Sequence, residues 1–138
     1  MHRLMLDTNI LLDCVDSRRA AHDDALRLIA RCNGGGDMGI ASSHSLNDVY
    51  YIMKKLYGEP SARKAVDVLT DLVVIGPISA EETLLALGSN EPDFEDGLVR
   101  ACAELNDVDF IISRDEKAFG KATIRRLTSA EYLEIAED

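Results

Sequence analysis

Strand-length apolar runs recur along this chain, and stretches patterned for helices separate them. The runs cover residues 4–6, 38–41, 72–75 and 110–113, with 122–127 as a short fifth. Between them, apolar side chains return every three or four positions. Ala21, Ala25, Leu28, Ile29 and Cys32 form one such stripe, and Leu46, Val49, Tyr50, Met53 and Tyr57 a second. Ala62, Ala65, Val66 and Leu69 form a third, and Leu98, Ala101, Cys102 and Leu105 turn inward from a helix starting near Asp93. A 3.6-residue period puts each stripe on one helix face. Strand alternating with helix predicts an α/β fold, a mainly parallel β-sheet of four to five strands flanked by helices.

The punctuation agrees with that pattern. Ser79 and Glu82 stand three apart, a capping box for a short helix that stops at Gly88. Thr128 and Glu131 repeat the device before a last helix carrying Tyr132, Leu133 and Ile135. Glycines 34–36 follow a helix and precede a strand. Phosphate cradles run the other way, from strand into helix, so these glycines mark a helix stop and a turn. No repeat, linker or low-complexity segment divides residues 1–138, and one domain is expected.

Several function classes drop out. No apolar run approaches the ~20 residues of a membrane span. The amino terminus reaches Asp7 without a cleavable apolar region, so a cytoplasmic protein with no membrane partner is expected. Cys14, Cys32 and Cys102 lie far apart with no C-x-x-C pair, which reads as buried reduced thiols. His2, His22 and His44 show no zinc spacing and read as surface or packing residues. The formal net charge of −10 opposes nucleic-acid binding, which usually needs a basic footprint. That objection weakens if part of the acid is gathered to hold cations, because a bound metal reverses the local sign.

The acids worth following stand at strand and helix ends. Asp7 directly follows the first run, and Asp115 comes two residues after the fourth. Ligands of open α/β sheets bind outside the carboxyl ends of strands. Either aspartate alone is equally an ordinary turn residue. Asp48 and Asp96 each fall in the first turns of a helix, where a carboxylate is favoured on electrostatic grounds alone. In a βαβ unit, however, helix amino termini point to the same sheet edge that carries Asp7 and Asp115. Four carboxylates converging there need raised pKa values or a counter-ion. An oxygen-only cluster suits hard cations such as Mg²⁺ or Mn²⁺. Such ions activate water and stabilise the leaving oxygen of a phosphodiester.

At these residues the chain resembles the PIN domain family, and within it the VapC-like toxin ribonucleases. The matching segments are residues 5–13, 45–51, 93–98 and 110–119, with 129–133 resembling the family's closing helix. The resemblance implies a PIN-like fold, a Mg²⁺ or Mn²⁺ cofactor and endonucleolytic cleavage of RNA. It also implies a homodimer and, for toxin members, a protein antitoxin. The family's first, third and fourth acids fall on Asp7, Asp96 and Asp115. The second, usually glutamate, is Asp48 here, with polar Asn47 beside it. Thr8 matches a small hydroxyl residue that orients Asp7. Asn9 is expected to fix the turn after the first strand through its side chain, and Ser113 to help similarly before Asp115.

Neighbouring charges complete the expectations. Asp13 is expected to face solvent, Asp93 to cap its helix and Glu95 to be solvated. Arg114 and Lys117 are the candidates for substrate phosphates, with Lys54 and Lys55 extending a track. The leading reading is metal-dependent RNA hydrolysis. A non-catalytic RNA- or protein-binding module on the same fold is the alternative. A phosphoacceptor domain using Asp7 as nucleophile is disfavoured, because such sites want a second aspartate at position nine, where this chain has Asn9.

Overall fold

Strands β1 (Arg3–Leu6), β2 (Met38–Ser42), β3 (Val74–Gly76), β4 (Phe110–Ile112) and β5 (Arg125–Leu127) form a single sheet. Every pairing is parallel, and the order is β3-β2-β1-β4-β5. In the computed structural model, which describes residues 1–137, seven helices flank the sheet. They are α1 (Thr8–Val15), α2 (His22–Asn33), α3 (Ser43–Tyr57), α4 (Glu59–Leu72), α5 (Ala80–Leu87), α6 (Phe94–Leu105) and α7 (Ser129–Glu137). None of the helices among the described residues is long and apolar enough to cross a membrane.

The central strand explains the apolar runs. Leu4, Met5 and Leu6 are wholly buried because helices cover both faces of a parallel sheet. Alternation along the strand divides the core in two. Leu4, Leu6 and Ile112 pack with Ile10, Leu28 and Leu69 from α1, α2 and α4. Met5, Ile40 and Ile111 pack on the other face with Val99, Cys102 and Ala103 of α6. The outer strand β3 is different: its Val74 and Ile75 side chains are exposed.

This topology creates a crevice. From β1 the chain moves to β2 and then β3 on one side, and later fills the other side with β4 and β5. The strand order therefore reverses between β1 and β4, the place where open α/β sheets bind ligands beyond the strand carboxyl ends. The Asp7 N–H donates to the Ile112 carbonyl at 3.0 Å, tying the two strand ends together at the mouth of that crevice.

Some sequence expectations shift. The segment after β1 is a full helix, α1, where only a turn around Asn9 is expected. The third strand lies two residues later than its apolar run: Leu72 closes α4, and Val73 is that helix's C-cap. The fifth strand shortens to Arg125–Leu127. Leu105, expected inside, is exposed near the end of its helix, and Cys32 is only half-buried.

Candidate functional site

Asp7 does two jobs in the backbone. It ends β1 and is the N-cap of α1, its Oδ1 accepting from the Thr8 N–H at 2.9 Å. Its other oxygen, Oδ2, accepts from the Ser113 hydroxyl at 2.7 Å, with the Asn9 amide at 3.5 Å. Ser113 is itself fully buried, and its Oγ accepts from the Asp115 N–H at 3.1 Å. One hydroxyl thus fixes Asp7 and the turn carrying Asp115. Asp115 in turn accepts from the Lys117 N–H at 3.0 Å. Burial raises the Asp7 carboxyl above its ordinary value; the hydrogen bonds from Ser113 and Thr8 oppose that, and the charge of Asp115 adds to it.

Asp96 arrives from a third direction. Asp93 caps α6 as expected, accepting from the Glu95 N–H at 2.6 Å, and this sets Asp96 in the first turn. Burial pushes the Asp96 carboxyl up to about 7, reinforced by the negative charges of Asp115, Asp7, Asp93 and Glu91. Asp48 comes from α3, which begins at Ser42, where the hydroxyl accepts from the Ser45 N–H at 2.9 Å.

All four aspartates line one cavity of about 400 Å³, together with Thr8 and Asn9 and an apolar wall of Leu12, Ile52 and Val99. A larger groove of about 620 Å³, lined by residues such as Met53, Tyr57 and Val68, contains none of these acids. The donor set in the acidic cavity fits a hard divalent cation. Its donors are carboxylate oxygens, and a positive ion would offset both the burial of the Asp96 charge and the neighbouring negative charges that together lift it.

The supporting charges fall differently from expectation. Asp13 is completely buried, not solvent-facing, and carries two arginines. Arg19 Nε donates to its Oδ1 at 2.8 Å, Arg114 Nη1 contacts its Oδ2, and His22 Nδ1 donates to its carbonyl at 2.7 Å. Helix α1 is buried along nearly its whole circumference, so a carboxylate there needs such partners. Arg114 is therefore tied to Asp13, and its N–H approaches Asn9 Oδ1 at 3.4 Å. Lys117 is exposed. Lys55 is also exposed, and Lys54 Nζ lies 3.8 Å from Glu59. Glu95 is exposed as expected but lines the cavity, as does His44, which the sequence reading set aside. The one available signal was the four-residue interval from His44 to Asp48, which places both on one helix face.

Comparison with known proteins agrees with this architecture. The PIN domain family model matches residues 3–117. No functionally curated protein matches the sequence. Among solved structures, VapC20 of Mycobacterium tuberculosis, a sarcin-ricin loop cleaving toxin, superposes with a TM-score of 0.71 at 19% identity, covering 88% of this chain and 95% of that one. The VapBC2 complex of Rickettsia felis, bound to a promoter DNA fragment, gives 0.67 at 18% identity, covering 91% and 98%. A toxin–antitoxin complex from Klebsiella pneumoniae gives 0.68 at 21%, covering 91% and 97%. At such identities the likeness establishes a shared fold.

Proposed function

The chain belongs to the PIN domain family, and from that premise we propose that it is a divalent-metal-dependent endoribonuclease, the toxin of a type II toxin–antitoxin pair. The observation that carries this reading is the meeting of Asp7, Asp48, Asp96 and Asp115 in one cavity at the strand-order switch. A binding-only module gains nothing from half-buried carboxylates gathered so that burial, reinforced by their neighbours' charges, lifts Asp96 to about 7. The M. tuberculosis neighbour, a sarcin-ricin loop cleaving toxin, lends the nuclease reading further support.

In this reading Asp7, Asp96 and Asp115 hold Mg²⁺ or Mn²⁺, with Asp48 completing the acidic wall. The ion supplies positive charge that acidifies water and neutralises the phosphodiester as it is hydrolysed. The chain's own residues set the geometry. Ser113 and the Thr8 N–H hold both Asp7 oxygens, so that carboxylate presents a fixed direction. Thr8 orders water beside it. Asn9 bridges the Asp7 carboxylate and the Arg114 backbone. Lys117, exposed two residues after Asp115, meets the phosphate next to the scissile one, while Arg114, the other candidate, is held by Asp13.

An antitoxin is the proposed protein partner, since the R. felis neighbour is a VapBC complex and the K. pneumoniae neighbour a toxin–antitoxin complex. A homodimer is proposed as well: α3 leaves Tyr51 and Leu56 exposed, and α5 leaves Leu84 and Leu87 exposed.

The deciding experiment compares RNA cleavage by the native chain with that of Asp7→Asn and Asp96→Asn in Mg²⁺ and in Mn²⁺. Loss of a carboxylate ligand is expected to lower the rate at least ~100-fold, in line with removal of a group stabilising developing charge. Equal cleavage by both variants refutes the assigned site. Tight RNA binding by the native chain without any cleavage hands the case to the binding-module alternative.

A further inference from the structure

The four aspartates leave two residues of the cavity unexplained. His44 lies near the start of α3, one turn before Asp48, and Glu95 lies in the first turn of α6. His44 Nε2 is 3.4 Å from Asp48 Oδ2 and 3.8 Å from Glu95 Oε1. The donor atoms of the three residues all lie within 4.8 Å of one another, and theirs is the only such group of His, Cys, Asp or Glu side chains among the described residues. The imidazole side chain as a whole keeps 27% of its surface, but its Nε2 atom is buried and makes no hydrogen bond. The nitrogen faces the Asp48 and Glu95 carboxylates without the alignment of a hydrogen bond to either, an arrangement that a cation seated between the three would satisfy.

We propose that the cavity holds a second cation seat, formed by His44, Asp48 and Glu95 and favouring a transition ion that accepts a nitrogen donor, such as Mn²⁺, over Mg²⁺. The proposal rests on the nuclease reading only in sharing Asp48 with the acidic wall. Its selectivity follows from the donors. Mg²⁺ wants an octahedron of oxygens and gives up water reluctantly, whereas first-row transition ions accept an imidazole nitrogen, with an affinity that rises from Mn²⁺ towards Zn²⁺. Asp7, Asp96 and Asp115 offer oxygen alone; His44 adds the single nitrogen. The four-residue spacing presents His44 and Asp48 side by side on α3, and Glu95 closes the triangle from α6. An ion seated there joins two helices that carry two of the candidate catalytic acids, Asp48 and Asp96.

The test is pulsed electron paramagnetic resonance on the full chain loaded with Mn²⁺, which detects modulation from a directly bound imidazole nitrogen-14. Two bound Mn²⁺ per native chain are expected, with nitrogen modulation. His44→Gln is expected to bind one and lose the modulation. Asp96→Asn is expected to bind one and keep it. Glu95→Gln, a change at an exposed side chain, is expected to weaken the nitrogen-bearing site at least tenfold without disturbing the fold. Absence of nitrogen modulation in the native chain at saturation overturns the seat, and so does its persistence in His44→Gln. If the native chain then still cleaves RNA, the second seat has failed and the nuclease reading stands. Nitrogen modulation in a chain that never cleaves RNA shows the reverse.

Discussion

A carboxylate reports its surroundings through the direction in which its proton affinity moves, and this molecule holds two opposite cases. Burial and the neighbouring acids raise Asp96 to about 7. Asp37, at the other end of the sheet, is also buried, which works against its charge. It is nevertheless held below its ordinary value by the His2 N–H, the Tyr132 hydroxyl and Arg31. The consequences for stability have opposite signs. Folded Asp96 keeps a proton that the unfolded chain releases, so stability without metal falls as pH rises from about 4 to about 7. Asp37 contributes stability that is present above the ordinary carboxylate value and lost as pH falls through its lowered one. Melting in chelator across that range is expected to show the decline, and Asp96→Asn to flatten it, gaining about 1 kcal/mol at pH 8 after allowance for solvent screening. A variant no more stable than the native chain at pH 8 argues against a crowded acidic pocket. Asp13 allows a second expectation at this scale. Asp13→Ala removes a buried anion from between Arg19 and Arg114 and is expected to cost about 2 kcal/mol in urea unfolding. That is less than a sealed pair costs, because both arginines can swing into water. Asp13 is the position where residue type was misleading: an aspartate in an apolar stretch looks like a surface residue unless its arginines are known.

At the scale of elements, what the sequence showed depended on periodicity. Helices α3, α4 and α6 each bury one stripe, and Leu46, Val49 and Met53, or Ala62, Ala65 and Leu69, spell it out. Helix α1 buries Ile10, Leu11, Leu12, Asp13 and Cys14 in succession, so no amphipathic period exists to be read, and its eight residues are too few to supply one. Its capping residue Asp7 was legible as a strand-end acid while the helix it starts was not. Strand β3 illustrates a packing demand invisible to periodicity. A Cβ on Gly76 would sit 2.5 Å from Cys102 Sγ, so β3 and α6 approach each other through a missing side chain. Gly76→Ala is expected to destabilise the fold by about 1–3 kcal/mol, the usual range for overpacking. Adding Cys102→Ala is expected to recover part of that loss in a double-mutant cycle. Strict additivity of the two changes would locate the strain elsewhere.

For the whole molecule, the difficulty is charge: 25 acidic residues against 15 basic ones give a net −10, and RNA is a polyanion. Under the proposed function, folding resolves part of the contradiction by concentrating Asp7, Asp48, Asp96 and Asp115 in one cavity, where bound cations would turn the local potential positive. The basic residues near that cavity supply little further attraction. Arg114 is spent on Asp13 and Lys54 lies beside Glu59, which leaves Lys117 as the exposed cation closest in sequence to Asp115. A binder that neutralises one or two phosphates of a single strand loses only roughly 3–10-fold in affinity when salt rises from ~50 to ~200 mM, against a loss of ~10³ or more for one making six to ten contacts. The shallow slope is the expectation here, measured with the native chain and a cleavage-resistant single-stranded RNA analogue in Mg²⁺. Replacing Mg²⁺ by chelator at fixed ionic strength is expected to weaken binding at least tenfold more, because under the proposed function it removes the cation that would offset the four aspartates. A steep salt dependence together with indifference to chelator would mean that RNA is gripped by a basic track elsewhere on the surface, and the acidic cavity would then have no part in holding it.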